Sequence, residues 1–208
     1  MQKKLKEEEI RLREARTEAE RRQREAEALQ RLTENEVRKA TDLLARSKEP
    51  MSRLAFSEAL APMETALAGF KTGSGKDLLV LPVDRLQRLQ ALKSNLIDCL
   101  NATPYQWGWG MTAADSQDVT GADESGVKIT RGEVAWKDVP HPQLMKLIDY
   151  LGKTARRRSS ERAADMIATA ILLNERGMHE QACERVREAI AINRLLADDA
   201  RRLLPDCK

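Results

Sequence analysis

The chain has 208 residues, a third of them charged, and Lys and Arg (36) barely outnumber Asp and Glu (33), while aromatic residues make up 3%. That length allows one or two domains, and the near balance of charge argues against a dedicated polyanion binder, which would carry a basic stripe. The longest apolar runs, Leu78–Val83 and Met166–Leu173, fall far short of the ~18 residues of a membrane span. The basic N-terminus lacks the apolar stretch of a signal peptide, so the expected compartment is the cytoplasm.

Residues 1–48 contain neither Gly nor Pro and are about half charged. Glu precedes Arg by four residues at Glu7/Arg11, Glu9/Arg13, Glu18/Arg22, Glu20/Arg24, Glu27/Arg31 and Glu34/Arg38. On a helix each pair shares a face in the favoured order, worth roughly 0.2–0.5 kcal/mol. The spacing predicts a charged helix on the order of 70 Å long at 1.5 Å per residue. Leu5, Leu12, Ala19, Ala26, Thr33 and Ala40 recur every seven residues, with Glu8, Ala15, Arg22, Leu29, Glu36 and Leu43 at the matching positions. A two-stranded seam prefers Leu and β-branched residues there, so a coiled coil and a single charged helix both stay open. Leu29, Leu32, Val37, Ala40, Leu43 and Leu44 follow the i, i+3/i+4 rule. The second half is therefore expected to pack on the following domain and the first half to project. A rod starting abruptly at Met1 suggests a piece of something larger.

Residues 50–103 read as a helical segment. Pro50 should end or bend the rod, and Pro62 should kink or restart the helix carried by Leu54, Phe56, Leu60, Met63, Leu67 and Phe70. Lys71–Asp77 (KTGSGKD) reads as a flexible Gly/Ser link. It fails as a phosphate loop, because Gly69 stands one residue too early and Asp77 replaces the required Ser or Thr. Pro82 suits a helix start, and Leu86, Leu89, Leu92, Leu96, Ile97 and Leu100 mark a helix to about Asn101. Together these make an antiparallel helical bundle.

Residues 104–140 differ. Tyr105, Trp107, Trp109 and Trp136 gather here with frequent Gly and Thr. Asp118–Ala122, Val127–Arg131 and Glu133–Trp136 predict three short strands of a small antiparallel β-meander, with turns at residues 123–126 and 131–132. Such a meander needs a helical face to cover. The aromatics read either as core or as an exposed Tyr105/Trp107/Trp109 platform that stacks a sugar, a base or a proline-rich peptide. The acidic run Asp115–Glu124 lacks the ligand spacing of an EF-hand.

Residues 141–208 return to helix, starting at Pro140-His141-Pro142, with Leu144, Leu147, Ile148 and Leu151 apolar and Gly152 as the stop. Arg156, Arg157 and Arg158 form a basic link that is either a solvated loop or a phosphate contact. Met166-x-x-x-Ala170-x-x-Leu173 precedes Gly177-Met178-His179-Glu180-Gln181-Ala182, then Ala189-x-x-Ile192-Asn193. Residues 164–194 thereby resemble one tetratricopeptide repeat (TPR), departing from it at Thr169 and Arg194. The resemblance implies a helical hairpin turning at Gly177, with small crossing residues Ala182 and Ala189. A lone repeat cannot bury its own face, so it should dock on the preceding helices. More loosely, the order of rod, helices, meander and hairpin is similar to accessory C-terminal regions of large bacterial multidomain proteins, some with Ser/Thr kinase domains.

Catalytic chemistry is not apparent. His141 and His179 lack ligand-spaced partners apart from His179 and Cys183, one turn apart, where packing is the expected role. Cys99, Cys183 and Cys207 are odd in number and far apart, so no disulfide framework, metal or cofactor is expected, only thiols in a reducing compartment. The expected fold is mainly α: a long charged helix, a helical bundle, a small meander and a TPR-like hairpin. The expected function is a non-enzymatic protein-interaction or scaffold module. Its helical arm spaces or oligomerises it, and Tyr105, Trp107, Trp109, His179 and Arg156–Arg158 are candidate partner contacts. The alternative is nucleic-acid or polyanion binding through the Arg-rich helix and Arg156–Arg158.

Overall fold

Rich in helix-forming residues and free of glycine, the first quarter of the chain forms one helix, α1 (Gln2–Ser52). The computed structural model describes the backbone of residues 2–109, 117–154 and 158–207, and side chains within 11–106, 117–153 and 158–207. After α1 come α2 (Phe56–Gly69) and α3 (Gly73–Ala102), then four strands, β1 (Tyr105–Trp109), β2 (Gln117–Ala122), β3 (Gly126–Ile129) and β4 (Gly132–Ala135). A 3₁₀ turn over Trp136–Asp138 leads into α4 (His141–Thr154), α5 (Ser159–Glu175), α6 (His179–Ile192) and α7 (Ala197–Leu203). The fold is mainly α with a small antiparallel sheet.

Pro50 lies in the last turn of α1, which ends two residues later in a Schellman arrangement. The Ala55 N–H donates to the Pro50 carbonyl (2.9 Å) and the Leu54 N–H to that of Met51 (3.1 Å). Leu54 holds the left-handed position with φ +59°. A side chain there costs roughly 1–2 kcal/mol of backbone energy, offset because Leu54 is buried. Pro62 does not restart α2: the helix runs through it, and both Pro62 and Glu58, whose carbonyl it leaves unserved, lie on the exposed side.

The expected flexible link at Lys71–Asp77 is instead the first turn of α3, which begins nine residues before Pro82. Thr72 caps it, accepting from the Gly75 N–H (3.3 Å). Gly75 is there for close approach, since a Cβ would come within 2.8 Å of the Glu36 Cβ on α1. Likewise α4 passes through Gly152 to Thr154 rather than stopping there.

The sheet runs β1-β2-β3-β4, each pair antiparallel. It therefore contains one strand more than the three expected. Its inward residues Val119, Ala122 and Val127 are buried, and β2 packs on α3. Asn101, near the end of α3, treats Ala122 as a strand partner: its amide donates to the Ala122 carbonyl (2.9 Å) and accepts from the Ala122 N–H (3.0 Å). Gly121 makes room for this, as a Cβ there would lie 2.7 Å from Asn101 Oδ1. The α5–α6 hairpin turns at Gly177, φ +77°, a conformation that favours glycine. Ala170, Ala182 and Ala189 are fully buried, and α5 packs on α3. One core, from Ala40 through Leu89, Val119 and Leu147 to Leu203, joins all these elements. No helix among the described residues is long and apolar enough to cross a membrane.

Candidate functional site

The side chains of α1 divide sharply along its length. Residues 11–32 are all exposed, including Leu12 (57%) and Leu29 (60%). From Thr33 onward one face is covered: Glu36, Ala40 and Ser47 are buried and Val37, Leu43 and Leu44 partly so, against α2 and α3. The same heptad stripe runs through both halves. On a straight helix such a stripe drifts by about 20° per heptad. Leu29 thus remains nearly beneath Ala40, while Leu12 has wound about 80° round over four heptads. Glu18–Arg22 (2.7 Å) and Glu20–Arg24 (3.9 Å), both expected, close along the exposed half. Such solvated pairs order the helix surface and contribute little to stability.

Glu36 fixes where the arm leaves the body. Its buried carboxylate accepts from the Lys71 N–H (2.8 Å), the Thr72 N–H (2.9 Å) and the Thr72 hydroxyl (2.6 Å). An anion thus sits on the positive N-terminal end of α3. Burial pushes its pKa up, but the hydrogen bonds from Thr72 and Lys71, with the Lys76 charge nearby, outweigh it and hold the carboxyl below the usual 4.5. A depressed carboxyl stabilises the fold above its unfolded pKa and loses that contribution as pH falls through the folded value. We expect Glu36→Gln to lower the melting temperature at pH 7. We also expect the protection of the Lys71 and Thr72 amides, taken relative to the intrinsic exchange rate at each pH, to fall in wild type as pH drops below about 4.5, a step the variant should lack. Unchanged protection in both would refute the clamp.

The candidate contacts scatter. Tyr105 is buried (9%) and meets Tyr150 edge-on, with ring centroids 4.9 Å apart. Its ring is therefore covered rather than open to a ligand, and burial followed by the neighbouring Tyr150 raises its pKa. The side chains of Trp107 and Trp109, and all of Arg156 and Arg157, lie outside the described residues. Arg158 is exposed, its backbone N–H donating to Glu161 Oε2 (3.2 Å). Between meander and helices the free space is about 20 Å³, lined by Leu92, Lys93, Trp136 and Leu144 among others. A larger cleft of about 580 Å³ opens where the arm joins the body, between Lys48, Phe56, Leu172 and Arg176. Arg176 donates there to His141 Nδ1 (3.0 Å). Burial, then the Arg176 charge, lowers the His141 pKa.

His179 is exposed at the first turn of α6 and stands beside a pair of cysteines that sequence spacing did not connect. Cys183 and Cys207 form a disulfide, with Cα atoms 4.8 Å apart, closing a loop with a sequence separation of 24. This overturns the expectation of separate thiols. The bond ties the chain end to α6. Around it, Arg85 donates to the Leu203 carbonyl (3.0 Å), and Asp84 takes Arg88 (3.1 Å) and Arg202, so α7 is also held to α3. His179 Nε2 lies 3.6 Å from the Cys183 sulfur, and its Nδ1 lies 3.1 Å from Asn174 Oδ1. The ring thus turns Nδ1 toward Asn174 and Nε2 toward the Cys183 sulfur. Neither a protein-family model, nor a curated protein, nor a solved structure matches this chain.

Proposed function

We propose that the chain is a non-enzymatic interaction module that pairs with a second copy of itself through the exposed half of α1. The observation that carries this reading is the single stripe on that helix, covered by the body from Thr33 to Met51 and bare from Leu12 to Leu32. A helix face built to be covered in one half asks for cover in the other. The interleaved Glu and Arg that flank the stripe suit a like surface better than a polyanion, because each charge run offers both signs. Burying a leucine is worth roughly 1.5–3 kcal/mol, so the few leucines of the arm support a weak, concentration-dependent dimer rather than an obligate one.

In this reading the α5–α6 hairpin is TPR-like and serves as ballast against α3. The chain acts as a scaffold or accessory region, of bacterial and cytoplasmic type, without catalysis of its own. Sedimentation equilibrium of the full chain tests it. We expect the mean mass to rise toward twice 23.5 kDa with concentration, and Leu12→Lys/Leu29→Lys to remain at the single-chain mass with unchanged circular dichroism. A wild-type monomer throughout the concentration series would reject self-pairing. Binding of a DNA duplex that weakens steeply with salt would favour the polyanion reading instead.

A further inference from the structure

We propose that His179, Cys183 and Cys207 form a redox-gated site for a thiophilic divalent cation of the zinc class, filled when the two sulfurs are reduced and emptied when they join. The three donor atoms, one ring nitrogen and two sulfurs, lie within 4.8 Å of one another. His179 and Cys183 are one helical turn apart, the spacing that puts two side chains on one face. A tetrahedral zinc with Zn–S of about 2.3 Å and Zn–N of about 2.0 Å sets its nitrogen and sulfur ligands roughly 3.5 Å apart. The 3.6 Å between Nε2 and the Cys183 sulfur meets that requirement without movement of the helix.

The site also has the outer support that zinc ligands use. Asn174, at the end of α5, sets its side-chain oxygen 3.1 Å from His179 Nδ1 and so steadies the ring with Nε2 turned toward the Cys183 sulfur. Cys207 is buried, Cys183 half-buried and His179 exposed, which leaves the fourth position facing water. Two thiolates and one imidazole select a borderline-soft ion over magnesium or calcium.

The switch balances as a two-electron exchange. Cation binding requires both thiols to have lost their protons. A low-molecular-weight disulfide then acts as oxidant. The two thiolates give up two electrons and form the Cys183–Cys207 bond, the small disulfide's S–S bond breaks, and its sulfurs leave as two thiols after taking up two protons. The cation, stripped of two of its three protein ligands, is released. The chain end stays fastened to α6 in both states, by a covalent bond in one and by a metal bridge in the other.

The test uses the full chain reduced with a phosphine and titrated with Co²⁺, then Zn²⁺. We expect one equivalent of Co²⁺ to give thiolate charge-transfer bands and intense tetrahedral d–d bands, displaced by Zn²⁺ and abolished by adding oxidised glutathione. His179→Ala should weaken uptake at least tenfold, and Asn174→Ala by about 10–100-fold, although both variants still form the disulfide in air. If reduction loosens the fold, Zn²⁺ should restore it. The proposal is overturned if the reduced protein binds no Co²⁺ while folded, if Zn²⁺ fails to restore a loosened fold, or if His179→Ala binds as tightly as wild type.

Discussion

Replacing Trp136 with alanine should destabilise the protein by about 3–5 kcal/mol, the range for removing a buried tryptophan from a core. Trp136 is 3% exposed and stands where β4 turns into the 3₁₀ segment. Leu92 and Leu96 of α3, Leu144 and Ile148 of α4 and Leu172 of α5 border the same small void. Its Nε1–H donates to the Asp123 carbonyl (2.7 Å), fastening the ring to the β2–β3 turn. The Lys93 ammonium lies 5.6 Å from the ring centroid and donates to Glu124, to the carbonyl at 3.0 Å and to the carboxylate at 2.8 Å. Truncation therefore opens a cavity, leaves the Asp123 carbonyl short of its partner and strips a ring face from a buried ammonium. At about 2–4 °C per kcal/mol for a chain of this size, the melting temperature should fall by roughly 6–20 °C. Trp136→Phe keeps most of the area and loses only the indole bond, so it should cost clearly less. Equal losses for the two variants in thermal melts would show that the ring is not the post we take it for.

Reducing the Cys183–Cys207 bond is the second large effect. Closing a loop of this length constrains the unfolded chain by about 3 kcal/mol in the chain-entropy account. With a chelator present, so that no metal replaces the bond, the melting temperature should drop by roughly 6–12 °C. Cys183→Ser should reproduce the shift and become insensitive to reductant. The loss should begin locally: amides of α7 and of Leu204 to Cys207 should exchange first, while those of Leu89 to Leu100 keep global protection. A melt unaffected by reductant would mean that the ion pairs of Asp84 and Asp199 with Arg88 and Arg202 suffice to hold α7.

Local signals in the sequence carried much of the fold. The charged periodicity of α1, the leucine spacing of α3, the turn at Asp123–Gly126 and the Gly177 hairpin all act over a few residues and can be read from a few residues. What escaped was set at a distance. Lys71–Asp77 has the composition of a linker, yet Glu36, 36 positions upstream in its bond to Thr72, converts it into a capped helix start. Tyr105 looks like one member of a three-residue aromatic platform, yet Tyr150 covers it from α4. The strand β1 was hidden because its alternating aromatics and glycine read as a cluster rather than as a paired edge. The disulfide was the least legible feature, since an odd cysteine count and long spacings carry no pairing information until the chain end folds back on α6. His179 and Cys183 stand one turn apart in the sequence, but the third donor, Cys207, comes from that same returning chain end.

Because the clamp at Glu36 and the bare leucines occupy one unbroken spiral, the heading of the arm is set by arithmetic along the chain. Adding a single residue between Leu32 and Glu36 would leave the body intact and swing everything upstream by about 100°, since an α-helix advances 3.6 residues per turn. Adding seven would nearly restore the bearing and only lengthen the reach, by roughly 10 Å. Relatives of this chain should therefore tolerate whole heptads of extra length in that segment and reject single-residue insertions, a bias that no feature of the body alone would impose.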